Sequence, residues 1–141
     1  MNIRTLEDID RLEKVEEIIS ELQALAGSGA IIVVEGRKDI ESLLSLGVKG
    51  DIRLASQQPL LEFTEMLSKS QKKIVLLTDW DKKGGIMTRK IIKYLLHYGI
   101  MPDTDIRGKL RALVKKRIKD TESLNNYVNK MRYELYGITD F

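Results

Sequence analysis

Ala30-Ile-Ile-Val-Val34 runs into Glu35-Gly36, and Lys73-Ile-Val-Leu-Leu-Thr78 runs into Asp79-Trp80-Asp81. Each is a short apolar run without polar alternation, the pattern of a strand buried on both faces, and such strands belong to parallel sheets covered by helices. Outward from them, Asp51-Ile-Arg-Leu54 reads as a weaker strand and the stretch near Asp105-Ile-Arg107 as a fourth. Helical spacing fills the intervals. Ile40, Leu43 and Leu44 precede a stop at Gly47, Leu60, Phe63, Met66 and Leu67 follow Pro59, and Ile91, Ile92, Leu95 and Leu96 precede Gly99. Strands near 31, 52, 74 and 105 separated by helices suit βαβ crossovers. The expectation is an α/β fold with an open, mostly parallel four-stranded sheet flanked by helices over residues 28–107.

Two helical extensions frame that core. In residues 1–27, Leu6, Ile9, Leu12, Val15, Ile19 and Leu22 recur every three or four positions, predicting an amphipathic helix capped by Thr5. Its other faces are acidic: Glu7, Asp8, Asp10, Glu13, Glu16, Glu17 and Glu21 against Arg11 and Lys14. Residues 108–141 read as a basic helical extension, its last helix using Leu124, Tyr127, Val128, Met131 and Leu135. At 141 residues all three parts are expected to form one compact domain.

Composition excludes several chemistries. The chain has no cysteine and one histidine, so disulfides, thiol nucleophiles, iron–sulfur clusters and Cys/His zinc sites are ruled out, and any metal must be held by oxygen. Apolar runs of about five residues are too short for a membrane span. The early acidic residues, with no apolar stretch leading to a cleavage site, point to a cytoplasmic protein. Gly27-x-Gly29 precedes its strand, whereas a dinucleotide fingerprint follows one, and no Gly-Lys-Ser/Thr phosphate loop occurs.

Chemistry concentrates where the two strong strands end. In open α/β sheets ligands bind beyond the carboxyl ends of the strands, and there stand Glu35, Gly36 and Asp39 on one side and Asp79, Asp81 and Gly84 on the other. Two carboxylates about 4 Å apart repel by roughly 4 kcal/mol at an effective dielectric near 20, so a cation is expected between Glu35, Asp79 and Asp81. With oxygen donors and little else, Mg²⁺ or Mn²⁺ fits. The bland alternative is that the aspartates cap the following helix while Glu35 pairs with Arg37 or Lys38.

Glu35-Gly36 after one hydrophobic strand and Asp79-x-Asp81-x-x-Gly84 after a later one resemble the two signature motifs of the Toprim domain. That domain is shared by bacterial-type primases, topoisomerases, the maturase of 5S ribosomal RNA and several nucleases. The resemblance covers residues 29–107. It implies that Asp79 and Asp81 are metal ligands and that Glu35 is a metal ligand or the general acid–base in phosphodiester cleavage or nucleotidyl transfer. Asp39 and Arg89 fall where some members place a further acid and a basic residue. The chain has no room for primase zinc-binding or topoisomerase cleavage portions, so it looks like a small stand-alone Toprim protein acting on RNA or DNA, a nuclease or RNA-processing enzyme. The alternative is a noncatalytic nucleic-acid-binding or assembly module. A haloacid-dehalogenase-type phosphatase also uses Asp-x-Asp after a strand, but the later acid cluster of that family is absent.

From Arg107 to Arg132 nine basic residues face two acids, a local charge of +7. Lys109, Arg111, Lys115, Lys116 and Arg117, with Arg37, Lys38, Lys82 and Lys83 near the carboxylates, are the candidate nucleic-acid contacts, since neutralising phosphates releases counterions. The alternative for the stripe is a solvated helix face. Trp80 reads as packing against a helix or stacking on a base, and His97 as structural. The apolar stripe of the first helix offers a surface for a homodimer or a larger nucleic-acid-processing assembly.

Overall fold

The computed structural model describes residues 2–137, so the last four residues of the expected extension lie outside the described part. The two apolar runs become β1 (Ile31–Val34) and β3 (Ile74–Leu76), and Asp51–Leu54 becomes β2. All three strands are parallel, in the order β2-β1-β3. Because side chains alternate across a strand, β1 feeds two cores. Ile31 and Val33 pack with Ile74, Leu76, Phe63, Leu67, Ile91 and Leu95 on one side. Ile32 and Val34 pack with Val75, Leu77, Leu12, Leu22, Leu110 and Val128 on the other. Each fully buried Val, Leu, Ile or Phe contributes about 1.5–3 kcal/mol, which explains the absence of a polar residue in the run.

The first layer consists of α3 (Leu60–Ser68) and α4 (Lys82–Leu96). The second consists of α1 (Ile3–Gly27), α2 (Arg37–Ser45), α5 (Asp105–Val114) and α6 (Leu124–Tyr136). A single 3-10 turn, Ala55–Gln57, follows β2. The result is a three-stranded parallel sheet between helical layers, consistent with a Toprim-like fold.

Four details differ from the sequence pattern. The expected fourth strand is one parallel bridge, with Leu76 N–H donating to the Asp103 carbonyl (2.9 Å) and Asp103 N–H to the Ile74 carbonyl (2.7 Å). Pro102 cannot donate to a ladder, and the Asp103 carboxylate accepts from Asp105 N–H at 2.9 Å. That turn starts α5 where a strand would continue. Helix α1 begins earlier than expected, because Asn2 rather than Thr5 is the cap, accepting from the Thr5 amide at 2.8 Å. Met66, which the α3 spacing would turn inward with Leu60, Phe63 and Leu67, is exposed.

Fourth, the apolar stripe of α1 is occupied from Leu12 onward. Leu12, Val15, Ile19 and Leu22 are buried within the chain, and α1 packs on α5 and α6. Those four positions are therefore taken up within the chain, while Leu6 near the helix start stays exposed. Since α5 and α6 place Leu110, Val114, Leu124 and Val128 in the same core, the basic segment is integral to the fold. Among the described residues no helix is long and apolar enough to cross a membrane.

Candidate active site

Parallel pairing of β1 and β3 sets their carboxyl ends side by side. Leu77 N–H donates to the Val33 carbonyl at 2.8 Å, and two residues further along each strand Asp79 N–H donates to Glu35 Oε2 at 2.7 Å. A contact across 44 positions of sequence thus follows from strand register. Behind it, Asp39 is buried near the start of α2 and accepts from Gly36 N–H at 2.9 Å. The Glu35 carbonyl is held by the Ser56 hydroxyl.

Asp79 carries the perturbed charge. Its Oδ1 is buried with no hydrogen-bond partner among the described residues. Burial first, then the charges of Glu35, Asp39 and Asp120, raise its pKa from 3.8 to about 8. Burial likewise raises Asp39, with backbone donors at Gly36 and Glu122 opposing it. Asp81 is different. It is exposed, and it caps α4 by accepting from Gly84 N–H at 2.7 Å. The structure therefore brings Glu35 and Asp79 together with Asp39 nearby, and gives Asp81 the capping role that was the alternative for both aspartates. Glu35 forms no ion pair with Arg37 or Lys38 among the described residues; Lys38 lies 3.9 Å from Glu122 instead.

Among the described residues no group of three Asp, Glu or His side chains is gathered closely enough to enclose a metal ion. The donor set still fits a hard cation that keeps most of its waters and takes one or two carboxylates. An orphaned, buried Asp79 oxygen beside the Glu35 carboxylate is where such a cation would be stabilised.

Gly84 has a steric reason. A Cβ at this position would stand 1.9 Å from the Asp79 carbonyl oxygen, so only glycine lets the first turn of α4 lie against the strand end. Thr88 locks the same turn, donating to the Gly84 carbonyl at 2.7 Å and meeting the Thr78 hydroxyl. Lys82 and Lys83 are exposed in that turn, where the helix dipole disfavours cations. Arg89, one turn on, lies over Gly85. Trp80 packs: its ring N–H donates to the Ile118 carbonyl at 2.7 Å and its amide to the Lys119 carbonyl at 2.9 Å.

Two residues had no signal beyond their place in a charge tally. Arg107 donates from Nε to the Thr78 carbonyl (2.9 Å) and from Nη2 to the Asp79 carbonyl (2.6 Å), bracing the loop that carries the aspartates. Burial lowers its pKa. Asp120, in the α5–α6 connection, adds its charge to those acting on Asp79 and Asp39. Neither belongs to a local motif, because both arrive from a later part of the chain.

Beyond Arg107, seven cations of the basic segment fall into two groups. Arg132 meets Glu16 at 3.0 Å, Lys109 meets Glu21 at 3.5 Å and Arg117 meets Asp8 at 3.7 Å, all on α1. Arg111, Lys115, Lys116 and Lys119 line a cleft with Trp80, Asp81 and Lys82.

The Toprim domain pattern matches residues 30–122. Over 122 residues the chain is 46% identical to a UPF0292 protein of Methanosarcina barkeri, covering 86% of this chain and 85% of that one. It is 40% identical over 119 residues to a UPF0292 protein of Methanocaldococcus jannaschii, with 84% and 92% covered. A solved structure from Aquifex aeolicus superposes with a TM-score of 0.65 at 28% identity, over 76% of this chain and 94% of that one. At family level the Toprim domain is associated with metal-dependent nucleic-acid processing. Strand ends carrying Glu35 and Asp79, the glycine that lets α4 approach them, and a pattern spanning more than half of the sequence agree: this chain belongs to the Toprim domain family, alongside the UPF0292 proteins.

Proposed function

We propose that this protein is a Mg²⁺-dependent phosphodiesterase acting on RNA or DNA, with Glu35 as general acid–base and Asp79 as the principal metal ligand. The observation that carries this reading is the Glu35–Asp79 pair: two carboxyl groups forced together by strand register, one with a buried oxygen and no partner. Asp81 has its Oδ1 committed to capping α4. Bound Mg²⁺ or Mn²⁺ supplies charge neutralisation and polarisation of a phosphate oxygen.

The chain's own residues do the rest. Glu35 is oriented by the Asp79 amide through Oε2, which leaves Oε1 to take a proton from water or return one to the leaving oxygen. Arg107 and the close approach of Gly84, both against the Asp79 carbonyl oxygen, hold the Asp79 backbone and so keep the carboxyl pair in register. Lys82 and Lys83 present positive charge beside an acidic centre that would otherwise repel a polyanion.

The test is incubation of labelled RNA and DNA panels with Mg²⁺, Mn²⁺ or chelator. Metal-dependent cutting supports the reading. Binding without cutting under every metal condition would leave the noncatalytic module, and neither binding nor cutting at low salt would remove both.

A further inference from the structure

We infer that the cleft between the start of α4 and the α5–α6 connection, bordered by Asp81 and lying beside the Glu35–Asp79 pair, is a phosphate-binding track for a nucleic-acid strand, indifferent to base identity. The inference deepens the proposed function by naming where the polymer is held.

The cleft measures about 360 Å³ and is lined by Lys82, Arg111, Lys115, Lys116 and Lys119, within the range of ligand-sized pockets. None of these five cations forms an ion pair among the described residues, although the chain has acids enough to pair Lys109, Arg117 and Arg132. The acid in the cleft, Asp81, already accepts from Gly84 N–H. Five cations held together repel one another, and an oxygen-rich polyanion relieves that repulsion.

The cleft is also built rather than fortuitous. Trp80 fastens the α5–α6 connection to the strand end through Ile118 and Lys119, and the Thr121 hydroxyl donates to the Leu77 carbonyl at 3.2 Å. The same short segment, Asp79-Trp80-Asp81, therefore positions an acid on one side and the lysine-bearing connection on the other. Base stacking has no platform here: Trp80, the one aromatic side chain lining the cleft, is only 5% exposed and its ring N–H is taken. Charge without an aromatic face favours phosphates over bases.

The test uses the full chain in chelator, so that the carboxylates hold no metal and no strand is cut. Salt titrations of binding are run with two RNA and two DNA single strands of unrelated sequence. The cleft variant is Lys115→Gln/Lys116→Gln/Lys119→Gln. Its charge-matched control is Lys14→Gln/Lys69→Gln/Lys130→Gln, three lysines outside the cleft. All six side chains are exposed, and melting curves check folding. Lys116→Gln alone serves as a second variant.

At about 0.7 per neutralised phosphate on single strands, the cleft variant should flatten the slope of log K against log salt by about 2. Lys116→Gln should flatten it by about 0.7 and the control should leave it unchanged, equally for all four strands. Wild-type binding with the same slope in cleft and control variants overturns the track and leaves the phosphodiesterase reading intact. Loss confined to one sequence overturns base indifference. Displacement of the strand by inorganic phosphate or a nucleoside monophosphate at equal concentration overturns a strand in favour of a free phosphate. Wild-type protein that binds no strand at low salt overturns the proposed function itself, together with this inference.

Discussion

The two edges of the sheet treat the same residue type in opposite ways. At the amino edge, Asp51 opens β2 and is met by Arg53 at 2.9 Å and Lys72 at 3.4 Å, and the Arg53 hydrogen bond holds its carboxyl below the usual range. Lys73 meets Asp103 at 3.3 Å on the same edge. At the carboxyl edge Asp79 has no cation against its buried oxygen, and its pKa rises to about 8. One edge pairs its acids with cations at 2.9–3.4 Å; at the other the Arg107 charge acts on Glu35, Asp79 and Asp81, yet its guanidinium donates to backbone carbonyls and Asp79 Oδ1 has no hydrogen-bond partner among the described residues. Perturbed carboxyls of the second kind gather at functional sites.

The contrast breaks most visibly at Glu35. Glu35→Gln keeps shape and hydrogen bonding but cannot move a proton, so cutting should slow by about 10² to 10⁴ with strand binding nearly unchanged. Recovery of rate at high Mg²⁺ would assign Glu35 to metal binding instead. The cleavage rate measured against Mg²⁺ concentration distinguishes the two, and a wild-type rate at every concentration would remove Glu35 from the chemistry.

Gly84→Ala comes next. The added methyl would overlap the Asp79 carbonyl, and forced overpacking costs about 1–3 kcal/mol. We expect a lower melting temperature together with a loss of Mg²⁺ affinity measured by calorimetry. Unchanged affinity in a folded variant would show that the approach of α4 does not set the site.

Asp79→Asn and Asp51→Asn should then move stability in opposite directions. The folded pKa of Asp79, about 8, exceeds the ordinary 3.8. The folded chain therefore holds an extra proton between those values, and metal-free stability falls as pH rises through that window. An amide does not titrate there, so the metal-free melting temperature of the Asp79→Asn variant should exceed that of the wild type by a margin growing from about pH 4 to about pH 8. A margin that is flat across this range contradicts the raised pKa. For Asp51 the folded pKa is lowered, so its contribution is present above the ordinary carboxyl range and is lost as pH falls through the folded value. Its partners are partly exposed, and Asp51→Asn should cost no more than about 1 kcal/mol at neutral pH. That is the smallest effect of the series, read by denaturant melts at about pH 7 and about pH 3.

The basic segment teaches the same lesson on a larger scale. A charge tally finds +7 between Arg107 and Arg132 and treats it as one stripe. Folding sorts it by geometry. Lys109, Arg117 and Arg132 settle against the acidic α1, Arg107 turns inward to brace the Asp79 loop, and Arg111, Lys115, Lys116 and Lys119 remain around the cleft beside Asp81. Neither of the two sequence alternatives, phosphate track or solvated face, describes the whole segment.

By itself the sequence determined what short-range physics controls. The unbroken apolar runs Ile31–Val34 and Ile74–Leu76 could bury both faces only as parallel strands between helices, and acids placed directly after them had to emerge at the ligand-binding edge. Gly84 was legible as part of a motif, though not its reason, since the atom it avoids belongs to Asp79. Long-range contacts were decided only in three dimensions. Asn2, Asp103 and Pro102 moved element boundaries through side-chain hydrogen bonds and a missing donor that compete with periodicity. The split of the aspartate pair into a half-buried Asp79 with an unpartnered oxygen and an exposed, capping Asp81 depended on how α4 docks. Arg107 and Asp120 joined the site from a later part of the chain, where no spacing rule reaches. Periodicity reports which face of an element is apolar; which charges meet across elements depends on how those faces are laid together.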